Sequence, residues 1–221
     1  MPGLLILASW YTVRHEYSNF ESNQHGLNED ASGVSGNIAW VVDGESLSAL
    51  DPSVAADYAH SISDRLREMV ENDPAVDLSQ LVRAATQVED HPDCFASLAI
   101  ARRDNHSLEY AVVGHAAVVF PVLDDVKLIQ DTRGDDVDTG RQNQPGGYWV
   151  IAPGNEDVAD NAVYGQETAD GPVVVASDGA ANALNVFDLH YTAGEMGNVG
   201  QAVESAWNAI EGTDDVTVAV V

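Results

Sequence analysis

Four short acidic motifs in this chain could do chemistry: Asn28-Glu29-Asp30, Asp43-Gly44, Ser177-Asp178-Gly179 and Asp214-Asp215-Val216-Thr217. Each stands at the edge of an apolar, strand-like run, where short side chains from distant segments can meet. Carboxylates gathered at one point repel one another unless positive charge lies between them, and a hard divalent cation is the usual partner. Taken singly, each motif is ordinary. Asp-Gly and Ser-Asp-Gly are common turn sequences, and an acidic tripeptide is unremarkable in an acidic protein. The order of the motifs and the elements around them carry the signal.

Those elements can be read along the chain. Leu4 to Val13 is rich in Leu, Ile, Trp, Tyr and Val and reads as a first buried strand. A polar stretch from Glu16 leads to Asn28. Ile38 to Val42 is a second apolar run, delivering Asp43-Gly44 at its C-terminal end. Asp51-Pro52 reads as an N-cap with proline in the first turn. Val54, Tyr58, Ile62, Leu66 and Met69 then recur at helical spacing until Asn72-Asp73-Pro74.

A second helix is predicted over 78–88, with Leu78, Leu81, Val82, Ala85 and Val88 as its core stripe. Phe95–Ala101, Leu108–Val113, Ala116–Val122 and Val126–Ile129 read as strands of an antiparallel meander. Asp131 to Gly147 reads as a mobile loop, Tyr148 to Ala152 as a strand and Glu156 to Tyr164 as a short helix. Val173 to Ala176 is an apolar strand ending in Ser177-Asp178-Gly179. A helix near 199–210 and a last strand over 216–221 close the chain. Trp10, Trp40 and Trp207 fall in these core runs.

At 221 residues, with 45% hydrophobic residues and no linker-like composition break, the chain is expected to form one domain, 1–221. It carries 36 acidic against 9 basic residues, a formal charge of −27, and its only lysine is Lys127. Such a surface repels nucleic acid and anionic lipid, so neither is an expected partner, and casual self-association is disfavoured; a monomer is expected. Most of the carboxylates are therefore plain solvated surface, and only position in a motif singles one out. The lone cysteine, Cys94, excludes an intramolecular disulfide and reads as a small, partly buried thiol at a strand start. The short apolar opening reads as a strand rather than a signal peptide or membrane span, and a cytoplasmic protein is expected. No zinc-type Cys/His cluster, HExxH pattern, P-loop or dinucleotide-binding glycine turn occurs.

In their order, the four motifs resemble those of the type-2C family of metal-dependent serine/threonine protein phosphatases, over nearly the whole chain. The resemblance is to a compact, divergent bacterial- or archaeal-type member with a reduced flap region. It implies an α+β fold: a central β-sandwich of two antiparallel sheets flanked by helices on both sides, in agreement with the order of elements. It implies two divalent cations, Mn2+ or Mg2+, with Asp43 as the bridging carboxylate and Gly44 as a backbone carbonyl ligand. Asp178 and Asp214 would complete the first metal, and Glu29 and Asp30 would hold the second largely through water. Oxygen-only ligands suit manganese or magnesium better than zinc. The implied reaction is attack of a metal-activated water on a phosphoserine or phosphothreonine ester of a protein substrate.

The departures from the family pattern fall on the groups that grip phosphate and move protons. The position usually held by a phosphate-binding arginine is His25, and the histidine often assigned as general acid is replaced by Glu45. The family's Val-Gly-Asp-Ser segment reads Val113-Gly114-His115-Ala116. His25 is either a phosphate contact when protonated or a loop histidine, and His115 is either a metal ligand, an acid, or a locally hydrogen-bonded histidine. A rival expectation follows from the same departures: a catalytically weak or inactive module that keeps the fold and binds metal. A third is an acidic protein whose motifs never meet.

Overall fold

The computed structural model describes residues 16–17, 28–45, 52–122, 125–134, 141–186 and 217–221. Several expectations lie outside these residues: the strand at 4–13, His25, the Asp51 cap, the helix near 199–210, Asp214 with Asp215, Trp10 and Trp207.

Among the described residues, two five-stranded sheets form the centre, and every pairing within them is antiparallel. The first runs in the order β2 (Asp30–Ser35), β3 (Ile38–Glu45), β4 (Phe95–Asp104), β5 (Ser107–Val113), β8 (Val163–Thr168). The second runs β1 (Glu16–Tyr17), β10 (Val218–Val220), β9 (Val174–Ala176), β6 (Ala117–Val122), β7 (Asp125–Gln130). Among the described residues, four helices accompany them: α1 (Pro52–Asn72), α2 (Leu78–Thr86), α3 (Asp157–Asn161) and α4 (Asp178–Val186).

The two-residue period of a strand sorts β3 into two cores. Ile38, Trp40 and Val42 join Tyr58, Ile62 and Leu66 of α1 and Leu81 and Val82 of α2 in one hydrophobic cluster. Ala39 and Val41 face the other way, meeting Val118, Phe120, Val175 and Ala219 of the second sheet. A third cluster sets Val174, Ala176, Val218 and Val220 against Ala180 and Ala181 of α4. Helices thus cover both outer faces. Because β3 is buried on both sides, its sequence is a continuous apolar run rather than an alternating one.

Helix α1 forms as expected, while α2 stops at Thr86 instead of running to 88, leaving Val88 packed on the core beyond its end. Tyr58, Ile62 and Leu66 are buried, with Val54 and Met69 half-buried. Asp77 caps α2, its side chain accepting the Ser79 N–H at 2.7 Å. Cys94 is buried rather than partly so, and burial pushes its thiol pKa up.

Five further expectations are corrected. Strand β2 occupies residues to which the sequence reading assigned no element, and β3 runs on through Asp43 and Gly44 to Glu45 because β4 pairs with it along that length. The meander is broken: β4 and β5 are neighbours in one sheet, while β6 and β7 belong to the other. Tyr148 to Ala152 forms no strand, only an isolated bridge between Ile151 and Ala96. The helix expected over 156–164 stops at Asn161, and Val163 opens β8 against β5. Asp131, placed in a loop, is buried and ion-paired with Arg133 at 2.6 Å at the start of a 3-10 turn.

Candidate functional site

Three of the four acidic motifs meet at one end of the sandwich, joined there by Thr217 of the fourth, whose other residues lie outside the described ones. Asp43 continues the inter-sheet row of Ala39 and Val41, so its carboxylate stands where that core opens. In the antiparallel register Asp30 lies directly opposite Asp43 on β2, and Ser97 lies opposite it on β4. Directly opposed residues on one face have Cβ atoms about 4.5–5.5 Å apart, so the two carboxylates are lateral neighbours. Asp30 is only 4% exposed.

The second sheet brings the third motif. Past the end of β9, Ser177 is tied to Thr217: the Ser177 N–H donates to the Thr217 carbonyl at 3.0 Å, and the Thr217 N–H donates to Ser177 Oγ at 3.0 Å. Helix α4 then starts at Asp178, whose N–H donates to Asp43 Oδ2 at 3.2 Å. Amides of a first helical turn have no acceptor within the helix, and the positive end of the helix favours an anion. Asp43 satisfies one such amide from across the sandwich.

The first motif is braced in the same way. Asn28 Oδ1 accepts the Asp30 N–H at 2.7 Å, and Asn28 Nδ2 donates to Thr217 Oγ1 at 3.3 Å. The Gly44 N–H donates to the Glu29 carbonyl at 3.3 Å. A Cβ at Gly44 would come within 2.6 Å of that carbonyl oxygen and 2.9 Å of the Ala55 carbonyl oxygen, so only glycine lets β3, α1 and the Glu29 backbone close up here.

Beside the aspartates lies a second group of side chains. Burial raises the pKa of the Glu45 carboxyl, His115 draws it back down, and Asp178 raises it further. The His115 ring stacks on Tyr148 with centroids 6.3 Å apart and planes 10° from parallel. Burial, with a contribution from Glu45, also raises the Tyr148 pKa. The His115 N–H donates to Ser97 Oγ at 3.0 Å.

Asp30, Asp43, Gly44, Asp178 and Glu29 therefore share one end of the fold with Glu45 and His115, while His25 and Asp214 lie outside the described residues. Among the described residues, no three His, Cys, Asp or Glu side chains form a ready-made metal cage. The donors that do meet are all oxygen, anionic or carbonyl, and suit a hard divalent cation in type. Sequence reading passed over Ser97 and Tyr148. Ser97 has no motif to mark it, and its role comes from the β3–β4 register alone. Tyr148 sits in a Gly-Gly-Tyr-Trp run that reads only as packing.

No family model matches the sequence, and no curated protein matches it. Solved structures do. The serine/threonine phosphatase Stp1 from Staphylococcus aureus superposes with a TM-score of 0.69 at 12% identity, covering 100% of this chain and 98% of its own. The PPM Ser-Thr phosphatase MsPP from Mycobacterium smegmatis, solved with cacodylate, gives 0.64 at 14% identity, covering 95% and 97%. The catalytic domain of the phosphatase PstP, solved with two manganese ions, gives 0.63 at 14% identity, covering 93% and 95%. The chain has the fold of these phosphatases. Among the described residues, no helix is long and apolar enough to cross a membrane.

Proposed function

We propose that this chain is a metal-dependent phosphatase that hydrolyses phosphoserine or phosphothreonine esters of proteins. The observation that carries the reading is the Asp178 N–H on the Asp43 carboxylate, with Asp30 paired opposite: acidic motifs 135 residues apart brought together without a disulfide. Packed like-charged groups raise the energy of the folded state, and a site that tolerates them is built for a cation. The phosphatase fold of the chain points to the same chemistry.

Asp43, Asp178, Asp214, Asp30, Glu29 and the Gly44 carbonyl would hold two divalent cations, Mn2+ or Mg2+. Such a pair supplies a nucleophilic water at neutral pH and neutralises charge on phosphoryl oxygens. The rest falls to the chain. The α4 amide orients the Asp43 carboxylate. The glycine at position 44 lets the Glu29 segment approach. Glu45 stands where the resembled family has its proton-handling histidine, and His25 where it has its phosphate-binding arginine.

The test is manganese-stimulated hydrolysis of an aryl phosphate and of a phosphoserine peptide, comparing wild type with Asp178→Asn. Metal-dependent turnover that the substitution abolishes supports the reading; metal-independent turnover, or equal rates, overturns it. A second reading is a metal-binding module with little or no turnover. It is favoured by Glu45 standing in place of a histidine and by the absence of a ready-made cage among the described residues. Calorimetry would then show Mn2+ binding without hydrolysis, and His25→Arg with Glu45→His would raise activity.

A further inference from the structure

We propose that Asn28 is a positioning residue that ties the two sheets together at the carboxylate site through Thr217, and that divalent-ion affinity depends on this tie. The inference rests on the metal-dependent reading above.

The tie completes a circuit through both sheets. On the first sheet, Asp30 and Asp43 stand opposite each other on β2 and β3. From Asp43 Oδ2 the circuit crosses to the second sheet through the Asp178 N–H at 3.2 Å. Asp178 follows Ser177, which is bonded twice to Thr217. The Ser177 N–H donates to the Thr217 carbonyl, and Ser177 Oγ accepts the Thr217 N–H, each at 3.0 Å. This pair extends the β9–β10 ladder by one step, and both residues are fully buried. From Thr217 Oγ1 the circuit returns to the first sheet through Asn28 Nδ2 at 3.3 Å. Asn28 Oδ1 closes it on the Asp30 N–H at 2.7 Å.

The side chain at position 28 does two things at once. It accepts from a main-chain amide two residues ahead and donates to a hydroxyl 189 residues away. A carboxamide carries an acceptor and donors on one short fork. Aspartate would keep the acceptor, lose the donor and add a negative charge. Serine can accept the amide two residues on, but its oxygen stands one bond closer to the main chain and cannot also reach Thr217. The Asp30 N–H also fixes which way the amide faces, since the reversed group would set donor against donor.

The consequence for an ion follows from charge. Asp30 and Asp43 come from the first sheet and Asp178 from the end of β9 in the second. Like charges push these segments apart when no cation lies between them. Two bonds of the circuit cross from sheet to sheet, Asp178 to Asp43 and Asn28 to Thr217. Without the second, the start of β2 with Glu29 and Asp30 loses this hold on the other sheet. An arriving ion must then order that segment itself, and its affinity falls accordingly.

The experiment is calorimetric titration of Mn2+ at constant ionic strength into wild type, Asn28→Ser, Thr217→Val, the double variant and Thr217→Ser. The first two variants remove one and the same bond from its two ends, and Thr217→Val leaves the main-chain pairing with Ser177 in place. Each should weaken Mn2+ binding about 10–100-fold. The double variant should lose no more than the worse single variant, because only one bond is there to lose. Thr217→Ser keeps the Oγ and should bind as wild type does. Since the bond can be cut from either end, a fold lost in one variant, seen by melting in EDTA, leaves the other to be read. Unchanged affinity in a folded Asn28→Ser or Thr217→Val overturns the proposal. So do losses that multiply in the double variant, or Thr217→Ser binding as weakly as Thr217→Val. Wild type that binds no Mn2+ defeats the metal-dependent reading and this inference together; wild type that binds Mn2+ with the variants unchanged defeats the inference alone.

Discussion

The N–H of Asp178 reaches the carboxylate of Asp43 at 3.2 Å, and with it the start of α4 is tied to the far end of β3. This bond separates structure from chemistry at the site. Asn at position 43 keeps an oxygen able to accept that N–H but removes the charge. Asp43→Asn and Asp178→Asn should therefore fold and melt within a few degrees of wild type in the absence of divalent ions. Relief of carboxylate repulsion tends to offset the weaker hydrogen bond. Their metal-dependent turnover should fall by at least ~100-fold, beyond what outer-shell changes usually cause. Thermal melts in EDTA beside Mn2+ assays read both effects, and a variant that loses activity only because it unfolds would count against this account.

The packing of β2 on β3 gives a stability prediction. A Cβ on Gly33 would lie 2.2 Å from Trp40 Cζ2, and Trp40 Nε1 donates to Ser63 Oγ on α1 at 2.9 Å. The indole is thus clamped between a bare backbone and a helix. Gly33→Ala overpacks this site and should cost about 1–3 kcal/mol. Trp40→Phe removes the hydrogen bond and some volume, but Ser63 Oγ also lies 3.3 Å from the Ser32 carbonyl and keeps that partner. It should cost roughly 1–3 kcal/mol from the unmade bond and the small void. Urea denaturation resolves both.

These contacts also explain what could be read from sequence. Amphipathic α1 and α2 were legible because their buried residues recur at helical spacing, and β3 and β9 because strands buried on both faces are uninterrupted apolar runs. Strand β2 was not, because Asp-Ala-Ser-Gly-Val-Ser has a single β-former, Val34, and Gly33 is there to admit an indole from the next strand. Strand β8 hid for a related reason. Gly165 lies under Tyr110, where a Cβ would meet the phenol oxygen at 2.1 Å, and its residues alternate only between half-buried and exposed. Asp30, Asp43 and Asp178 could be chosen from 36 acidic residues by motif order, but Ser97 and Tyr148 owe their place to register and stacking. No local pattern encodes those.

The cap of α2 should show a defined pH dependence. Hydrogen bonds from Ser79 hold the Asp77 carboxyl below its ordinary value of 3.8, with a smaller contribution from Arg102. A lowered folded pKa stabilises the fold wherever the carboxylate is ionised, so the contribution is complete above the unfolded value and fades as pH falls through the folded one. Asp77→Ala should cost about 1 kcal/mol near neutral pH. The gap between wild type and variant should narrow below pH 3.8. Parallel urea titrations at neutral and acid pH check the sign: a gap that widens in acid contradicts it.

Finally, the charge of −27 makes salt and specific metal binding separable. Self-repulsion at that charge is long-ranged and screened by any electrolyte, so raising KCl should raise the melting temperature of wild type and Asp43→Asn alike. A specific site behaves otherwise. Mn2+ at a hundred times its dissociation constant stabilises the folded state by about 2.7 kcal/mol, or roughly 5–10 °C for a chain of this size. That increment should appear at constant ionic strength in wild type, vanish with EDTA and be largely lost in Asp43→Asn. Equal Mn2+ shifts in the two proteins would mean that the ion acts on the acidic surface as a whole and that the three motifs meeting at the end of the sandwich hold no metal.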